Sequence, residues 1–118
     1  MYKLSYLPLA NRDIADAVNY IAETLAAPKA AFDLLNALDG SISRLKDFPY
    51  SRRVYQPVKP LEREYRIMAV KNYAVFYTVN EQEKLAEIYR VIYAKRDLEK
   101  QLPLPNSHGI PEGRVEPS

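Results

Sequence analysis

The spacing of apolar side chains changes once along the chain, and this change constrains the fold more than any other feature. Between Ile14 and Leu45 apolar residues recur every three or four positions, the period of an amphipathic helix. Between Tyr65 and Tyr93 they recur every second position, the period of a β-strand. With 118 residues the chain has room for one domain. The pattern predicts a single α+β domain with its helices ahead of most of its strands.

The helical part of the sequence predicts two helices joined by a short link. The first runs from about Ala10 to Ala26, and Asn11 or Asp13 is able to cap its start. The second begins near Pro28, since proline is well suited to a first helical turn, and it ends before Phe48-Pro49. The residues predicted to form its core stripe are Ala31, Leu35, Leu38, Ile42 and Leu45. So short a link makes the two helices antiparallel, as a helix hairpin.

Strands are predicted on both sides of the helix hairpin. A short strand over residues 2–7 precedes it, and three strands follow over residues 65–70, 73–79 and 85–93. Tight turns at Lys71-Asn72 and at residues 80–83 make the last three an antiparallel meander. The first strand is expected to join the same sheet, between or beside the later strands. A short C-terminal helix is predicted from Lys95 to Leu102.

The last 16 residues have a different composition. They contain Pro103, Pro105, Pro111 and Pro117 together with Gly109 and Gly113. No apolar cluster accompanies them, so burial cannot offset the entropy lost on ordering this segment. We therefore expect a folded domain over residues 1–102 and a flexible tail over residues 103–118.

The residue types that are missing exclude several kinds of chemistry. The chain has no cysteine, so it can form neither a disulfide nor a thiolate site, and its single histidine, His108, lies in the tail. A Ser-His-Asp or Cys-His catalytic group is therefore not expected, and neither is a metal or another cofactor. No apolar run reaches the roughly 18 residues of a membrane span, and the first six residues do not resemble a signal peptide. We expect a cytoplasmic protein that does not enter a membrane.

The charge is concentrated in the middle of the chain. Residues 44–71 carry eight basic and three acidic side chains, a net charge of +5, whereas the whole chain is at +2. Such a segment can gather phosphate groups, although a solvated basic surface without a ligand is the common alternative. The candidate phosphate contacts are Arg52, Arg53, Lys59, Arg63, Lys71 and Arg90.

In element order and in several short motifs, the sequence resembles the RelE/ParE superfamily of toxins from type II toxin–antitoxin systems. The resemblance covers most of residues 2–102. The motifs that carry it are Tyr6-Leu7-Pro8, Asp13-Ile14, Tyr20-Ile21, Ala30-Ala31, Phe48-Pro49, Tyr65-Arg66, the run from Asn72 to Tyr77, the run from Arg90 to Tyr93, and Lys95-Arg96-Asp97. Their order and spacing, more than any single motif, identify the family.

The resemblance implies a small toxin of a plasmid-stabilisation module, held inactive by a cognate antitoxin. Two targets are known in this superfamily, and the first hypothesis is ribosome-dependent cleavage of mRNA. The alternative is inhibition of DNA gyrase without any nuclease chemistry, and a third reading is a toxin fold that only binds its antitoxin. The assembly implied is a homodimer or a heterotetramer with the antitoxin.

The resemblance also suggests which residues would act in RNA cleavage. Arg66 and Arg96 match arginines that bind the scissile phosphate in RelE-like enzymes, and Tyr93 stands where many relatives have histidine. If Tyr65 and Ile67 pack under the helices, Arg66 lies on the open face of the sheet. Glu62 and Glu64 lie near the basic segment and are candidates for a general base. Where such enzymes carry a C-terminal tyrosine or histidine this chain has Leu102, which argues against cleavage.

An antitoxin of this family is expected to lie along the helix hairpin and the sheet. Phe32 and Leu34 fall outside the predicted core stripe, so they are the predicted apolar contacts. Arg52, Arg53 and Arg63 are expected at the rim, where positive charge would attract an acidic and partly disordered partner.

Overall fold

The computed structural model describes residues 1–56 and 63–94, and in it the two helices lie against one face of a four-stranded sheet. The elements are β1 (Lys3–Tyr6), α1 (Pro8–Asn19), a π-helical turn (Tyr20–Thr24), α2 (Pro28–Ser43), a 3-10 turn (Arg44–Lys46), β2 (Arg66–Val70), β3 (Tyr73–Asn80) and β4 (Leu85–Tyr93). The α+β class and the order of these elements are as predicted. The predicted C-terminal helix and the tail lie outside the described residues.

The sheet has the strand order β1-β4-β3-β2. Strands β2, β3 and β4 form the predicted antiparallel meander, and β1 joins it at the edge by pairing in parallel with β4. A short segment of the preceding loop covers part of the other edge. There the Tyr55 backbone N–H donates to the carbonyl of Tyr65 at 2.7 Å, and the N–H of Ile67 donates to that of Arg53 at 3.0 Å.

Both helices start at a proline. The residue before α1, Leu7, has an extended backbone, and Pro8 occupies the first turn, where its missing N–H leaves no bond unmade. The prediction that Asn11 or Asp13 caps this helix is wrong, because the helix begins before both of them. At its other end α1 widens into the π-helical turn, where the N–H of Leu25 donates to the carbonyl of Tyr20 at 3.0 Å.

Apolar side chains are buried on both faces of the sheet. The cluster under the helices contains Leu34, Leu38, Ile42, Leu45, Met68, Val70, Val75, Tyr77, Ile88 and Val91. The cluster on the opposite face contains Tyr65, Ile67, Ala74, Phe76, Tyr89 and Ile92. Strands with both faces buried cannot alternate between apolar and polar residues, so their sequence does not reveal which face meets the helices.

The predicted stripe of α2 is wrong at one position. Leu34 is 2% exposed and belongs to the core, whereas Leu35 is 43% exposed. Both residues fit a helical stripe between Ala31 and Leu38, because steps of three then four and of four then three are equivalent on a helix. The sequence therefore could not choose between them.

Candidate functional site

Arg66, the predicted phosphate-binding arginine, is held by three groups of the protein. Its Nη1 donates to the carbonyl oxygen of Arg52 at 2.6 Å, and its Nη2 donates to Oε2 of Glu64 at 3.1 Å. Its guanidinium also lies 5.0 Å from the centre of the Tyr50 ring, a cation–π distance. Only 17% of the side chain is exposed. Arg66 thus anchors the loop that carries Tyr50 and Arg52.

The predicted orientation of Arg66 is wrong. Met68 and Val70 pack under the helices, while Tyr65 and Ile67 belong to the cluster on the opposite face. Since side chains alternate along a strand, Arg66 points to the same side as Met68. Arg66 is the first residue of β2, and the loop that carries Tyr50 and Arg52 covers it, so it does not lie on an open face.

The same loop closes over Tyr77, the strand residue that pairs with Arg66. The Tyr77 hydroxyl donates to the carbonyl oxygen of Pro49 at 2.7 Å, and the side chain is fully buried. Burial raises the pKa of Tyr77, although the nearby charges of Arg66 and Arg52 act in the opposite direction. We call residues 48–56 the basic loop. Two hydrogen bonds hold it against the sheet, one from Tyr77 to the carbonyl of Pro49 and one from Arg66 to the carbonyl of Arg52.

The other predicted phosphate contacts do not form one cluster. Arg52 and Arg53 lie on the basic loop, and only Arg53 has an exposed side chain. Arg63 donates from Nη1 to the hydroxyl of Tyr89 at 2.5 Å, beside the cluster on the opposite face. Lys71 follows the far end of β2, about 16 Å from Arg66 at the usual strand rise. Lys59 lies outside the described residues.

Arg90 is engaged in an ion pair inside the molecule. Its Nε and Nη2 donate to the two carboxylate oxygens of Asp13 in α1, at 2.7 and 3.1 Å. The two side chains are 14% and 13% exposed. The charge of Arg90 is thus matched and largely covered inside the molecule, and its contact with nucleic acid stays a prediction.

The two remaining residues of the predicted catalytic group are Tyr93 and Arg96. Tyr93 is half-buried at the end of β4, and its ring packs edge-on against Tyr73 with the centroids 5.5 Å apart. Arg96, like Glu62, lies outside the described residues. The catalytic role predicted for Tyr93 and Arg96 stays a prediction.

A polar cluster around Glu81, among the described residues, was not indicated by the sequence. Oε1 of Glu81, in the β3–β4 turn, accepts hydrogen bonds from Tyr2 at 2.6 Å and from Tyr50 at 2.7 Å, and its other oxygen is bound to Lys84. These bonds lower the pKa of Glu81 to about 2, with the Lys84 bond contributing most. Glu81 is 79 residues from Tyr2 and 31 from Tyr50, so no local motif could have indicated the cluster.

The tyrosines whose pKa shifts are resolved all shift upwards. Hydrogen bonding to Glu81 raises the pKa of Tyr2 and of Tyr50, and burial raises that of Tyr6. Burial also raises the pKa of Tyr65 to about 12. None of these phenols is therefore activated to take up a proton at neutral pH.

A small groove lies between the helix hairpin and the β2–β3 turn. Its volume is about 200 Å³, and the residues that line it are Ile21, Ala30, Asp33, Leu34, Lys71, Asn72 and Tyr73. We call it the hairpin groove. Leu34 lines its wall but belongs to the core, so the prediction that Leu34 falls outside the core is wrong, while its contact with an antitoxin stays a prediction. Phe32 is 62% exposed, and its contact with an antitoxin remains a prediction.

In residues 1–56 and 63–94, no helix is long and apolar enough to cross a membrane. In the same residues, no three side chains among histidine, aspartate and glutamate lie together in a way that could hold a metal ion.

Comparison with known proteins gives a family and two similar folds. Residues 4–98 match the model of the family described as the ParE toxin of the type II toxin–antitoxin system parDE. A chain of the chromosomal ParDE system from P. aeruginosa has a TM-score of 0.63 at 15% identity, with 79% of this chain and 96% of that chain covered. A chain of the archaeal RelE–RelB complex from Pyrococcus horikoshii has a TM-score of 0.54 at 15% identity, with 81% and 98% covered. A search of curated proteins gave no significant match.

Proposed function

The chain belongs to the ParE toxin family of type II toxin–antitoxin systems, and on this premise we propose that it arrests growth by binding DNA gyrase and not by cutting mRNA. Its partner in the cell is a cognate antitoxin, as in the ParDE and RelE–RelB complexes with a similar fold. The choice of gyrase depends on the chemistry that the described residues can perform.

The observation that carries the proposal is that Arg66 and Arg90 both form hydrogen bonds inside the protein. Cleavage of RNA through its 2′-hydroxyl needs a base at that hydroxyl, cations on the phosphate and an acid at the leaving oxygen. Arg66 is bonded to Arg52 and Glu64, and Arg90 is bonded to Asp13. Both guanidinium groups are thus engaged inside the protein, and only 17% of the Arg66 side chain and 14% of the Arg90 side chain are exposed.

The described part of the chain is also poor in side chains whose pKa values suit proton transfer. The resolved phenol shifts are upward, and Glu81 is held ionised with a pKa of about 2, which makes it a weak base. The residue at position 102, where the endonucleases carry a terminal acid or base, is leucine. A toxin that acts by binding requires none of these groups.

The mRNA endonuclease remains the second candidate, and one observation favours it. The net charge of +5 over residues 44–71 would attract an RNA backbone. Arg53 is exposed on the basic loop, and Arg63 is exposed beside Tyr89. Under the gyrase proposal the same two arginines bind an acidic protein surface instead.

The test examines both targets with the same chain. The full chain is induced briefly without its antitoxin, and ribosome-bound mRNA is examined by primer extension while purified gyrase is assayed for supercoiling with the purified chain. We expect growth arrest, loss of supercoiling and no cuts at codon positions. Cuts with supercoiling unchanged would establish the endonuclease instead, and normal growth with folded chain in the lysate would leave only antitoxin binding.

A matched pair of variants makes the test specific. Arg53→Glu reverses an exposed charge on the basic loop, and Arg12→Glu reverses an exposed charge on α1. We expect Arg53→Glu to weaken the inhibition of gyrase and Arg12→Glu to leave it unchanged. Equal effects of the two substitutions would show that only the overall charge matters.

A further inference from the structure

The first residues of the basic loop form a turn that exposes two aromatic side chains. Phe48 is 63% exposed and Tyr50 is 48% exposed, whereas Pro49 between them is buried. Single exposed apolar residues are common on protein surfaces, but here two aromatic ones project from the same turn. Phenylalanine, tyrosine and arginine are enriched in the contact surfaces between proteins. The turn therefore has the composition of a surface that binds another protein.

The backbone of Phe48 is held on both sides. Its N–H donates to the carbonyl of Arg44, in the 3-10 turn after α2, at 3.0 Å. Its own carbonyl accepts two bonds from Ser51, one from the backbone N–H at 3.2 Å and one from the hydroxyl at 2.8 Å. A side chain on a backbone that is already ordered loses less entropy on binding than one on a loose segment. Phe48 is thus exposed and preorganised at the same time.

Tyr50 differs from Phe48 because its ring already has partners inside the molecule. Its hydroxyl donates to Oε1 of Glu81 at 2.7 Å, and the Arg66 guanidinium lies 5.0 Å from its ring centre. The ring of Tyr2 packs edge-on against it, with the centroids 6.3 Å apart. The Phe48 ring makes no aromatic or cation–π contact with a described residue. Tyr50 therefore supports the turn, and Phe48 is the ring left for a partner.

The charges of the basic loop indicate the sign of that partner. Arg52 and Arg53 are its charged residues, and neither forms an ion pair with a described residue. Nε of Arg52 is also buried without a hydrogen-bond partner, so the protein itself leaves this nitrogen unsatisfied. Both unmatched charges are positive, and they favour carboxylates on the surface that meets the loop.

We propose that Phe48 is the apolar anchor of the basic loop, inserting into a pocket of gyrase whose rim carries a carboxylate for Arg53. This role rests on the proposed inhibition of gyrase, and it names the side chain on which that contact depends. The surface lies beside Arg66 at the start of β2, whereas the hairpin groove adjoins Lys71 beyond the end of that strand. The anchor is therefore at the other end of the sheet from the hairpin groove.

The first test removes the ring. For Phe48→Ser, the concentration of full chain that halves gyrase supercoiling should rise roughly tenfold or more, because a few buried anchors carry most of the energy of a protein contact. Tyr20→Ser is the matched control, since Tyr20 is an aromatic residue of the π-helical turn that is 54% exposed. It should inhibit gyrase like the wild type. Thermal melting of each variant confirms that it is folded before inhibition is compared.

The second test separates a protein pocket from a nucleic acid. Phe48→Leu keeps a large apolar side chain but has no aromatic face. A pocket in a protein should accept leucine in part, so growth arrest and gyrase inhibition should both lie between those of the wild type and Phe48→Ser. A base stacks on an aromatic ring, so a contact with RNA would make Phe48→Leu as defective in growth arrest as Phe48→Ser. That second result would overturn the gyrase pocket.

The wild-type measurement separates a failure of the anchor from a failure of the gyrase proposal. Inhibition of gyrase by the wild type and equally by folded Phe48→Ser would overturn the anchor and leave gyrase as the target. Equal losses in Phe48→Ser and Tyr20→Ser would also overturn it, because exposed rings would then act regardless of their position. A wild-type chain that leaves supercoiling unchanged would overturn the proposed function and the anchor together.

Discussion

Asp13 and Arg90 join the first helix to the last strand through a two-pronged ion pair. Besides the two guanidinium bonds, the carboxylate accepts a third bond from the backbone N–H of Val91 at 2.9 Å. β1 ends at Tyr6, which pairs with Ile88, so beyond that point β4 has no strand partner on this side. Asp13 therefore has two roles. It accepts the hydrogen bond of the Val91 N–H, which has no strand partner, and it neutralises the largely covered charge of Arg90.

Removing this carboxylate should be costly. Asp13→Ala leaves the Arg90 guanidinium, with its side chain 14% exposed, without its acidic partner and leaves the Val91 N–H unpaired. We expect the free energy of unfolding to fall by about 3 kcal/mol, the usual cost of breaking a buried ion pair from one side. Urea unfolding measures this. Lys29→Ala breaks an exposed pair on α2 and should cost less than about 0.5 kcal/mol. Similar losses in both variants would contradict a structural role for Asp13.

The hydroxyl of Tyr77 should stabilise the basic loop. Tyr77→Phe keeps the buried ring but removes the donor to the Pro49 carbonyl, which is then left in a buried position without this bond. We expect a loss of about 1–2 kcal/mol in unfolding free energy. Tyr20→Phe is the control, because that side chain is 54% exposed and donates no hydrogen bond to a described residue. An unchanged stability of Tyr77→Phe would show that the loop does not depend on this bond.

One substitution in α2 should stabilise the chain. Gly40 lies inside the helix on its exposed side, and a Cβ atom there would have no neighbour within 4 Å. Gly40→Ala should raise the unfolding free energy by about 0.5–1 kcal/mol, because alanine loses less backbone entropy in a helix. Thermal or urea unfolding is the measurement. A loss of stability would show that the glycine is needed for close approach by a group outside the described residues.

The fold was predictable because it depends on local patterns. The change of period from three or four to two located both helices and the meander, and Pro28 marked where α2 begins. The register within each pattern was harder to predict. Leu34 and Leu35 fit the α2 stripe equally well, and a sheet that is apolar on both faces concealed the direction of Arg66.

The candidate site was less predictable because its contacts are long-range. Sequence reasoning treated Arg90 as a free cation, since nothing within four residues of it indicates Asp13, 77 positions earlier. The cluster around Glu81 escaped notice for the same reason. A predicted cation is only a candidate for binding until its partners in the folded chain are known, and here Arg66 and Arg90 both have internal partners.

The cluster around Glu81 should make stability depend on pH in the acid range. The folded-state pKa of Glu81, about 2, lies below its ordinary value of 4.5, so its contribution is complete above pH 4.5 and is lost as the pH falls towards 2. The melting temperature of the wild type should therefore exceed that of Glu81→Gln at pH 7, and the difference should shrink at pH 2.5. Glu83→Gln, whose side chain accepts no hydrogen bond from a described residue, should show no such convergence. A difference that stays constant with pH would mean that ionisation of Glu81 is not involved.

Arg66 should have a structural role that its neighbour Arg53 lacks. Arg66→Ala removes the bonds to Glu64 and to the Arg52 carbonyl, together with the contact on the Tyr50 ring, and we expect a loss of about 1–3 kcal/mol in unfolding free energy. Arg66→Lys should recover only part of it, because an ammonium group cannot reproduce the planar fork of the guanidinium.

The control for Arg66 is Arg53→Ala, at an exposed position of the same loop, which should stay within about 0.5 kcal/mol of the wild type. Urea unfolding of the three variants, followed by the supercoiling assay, separates the two roles of the loop. If the loop must be ordered to bind gyrase, inhibition should fall in Arg66→Ala and recover partly in Arg66→Lys, in the same order as stability. Arg66→Ala with wild-type stability but without inhibition would show instead that Arg66 touches the target, and the internal contacts seen here would then have to open on binding.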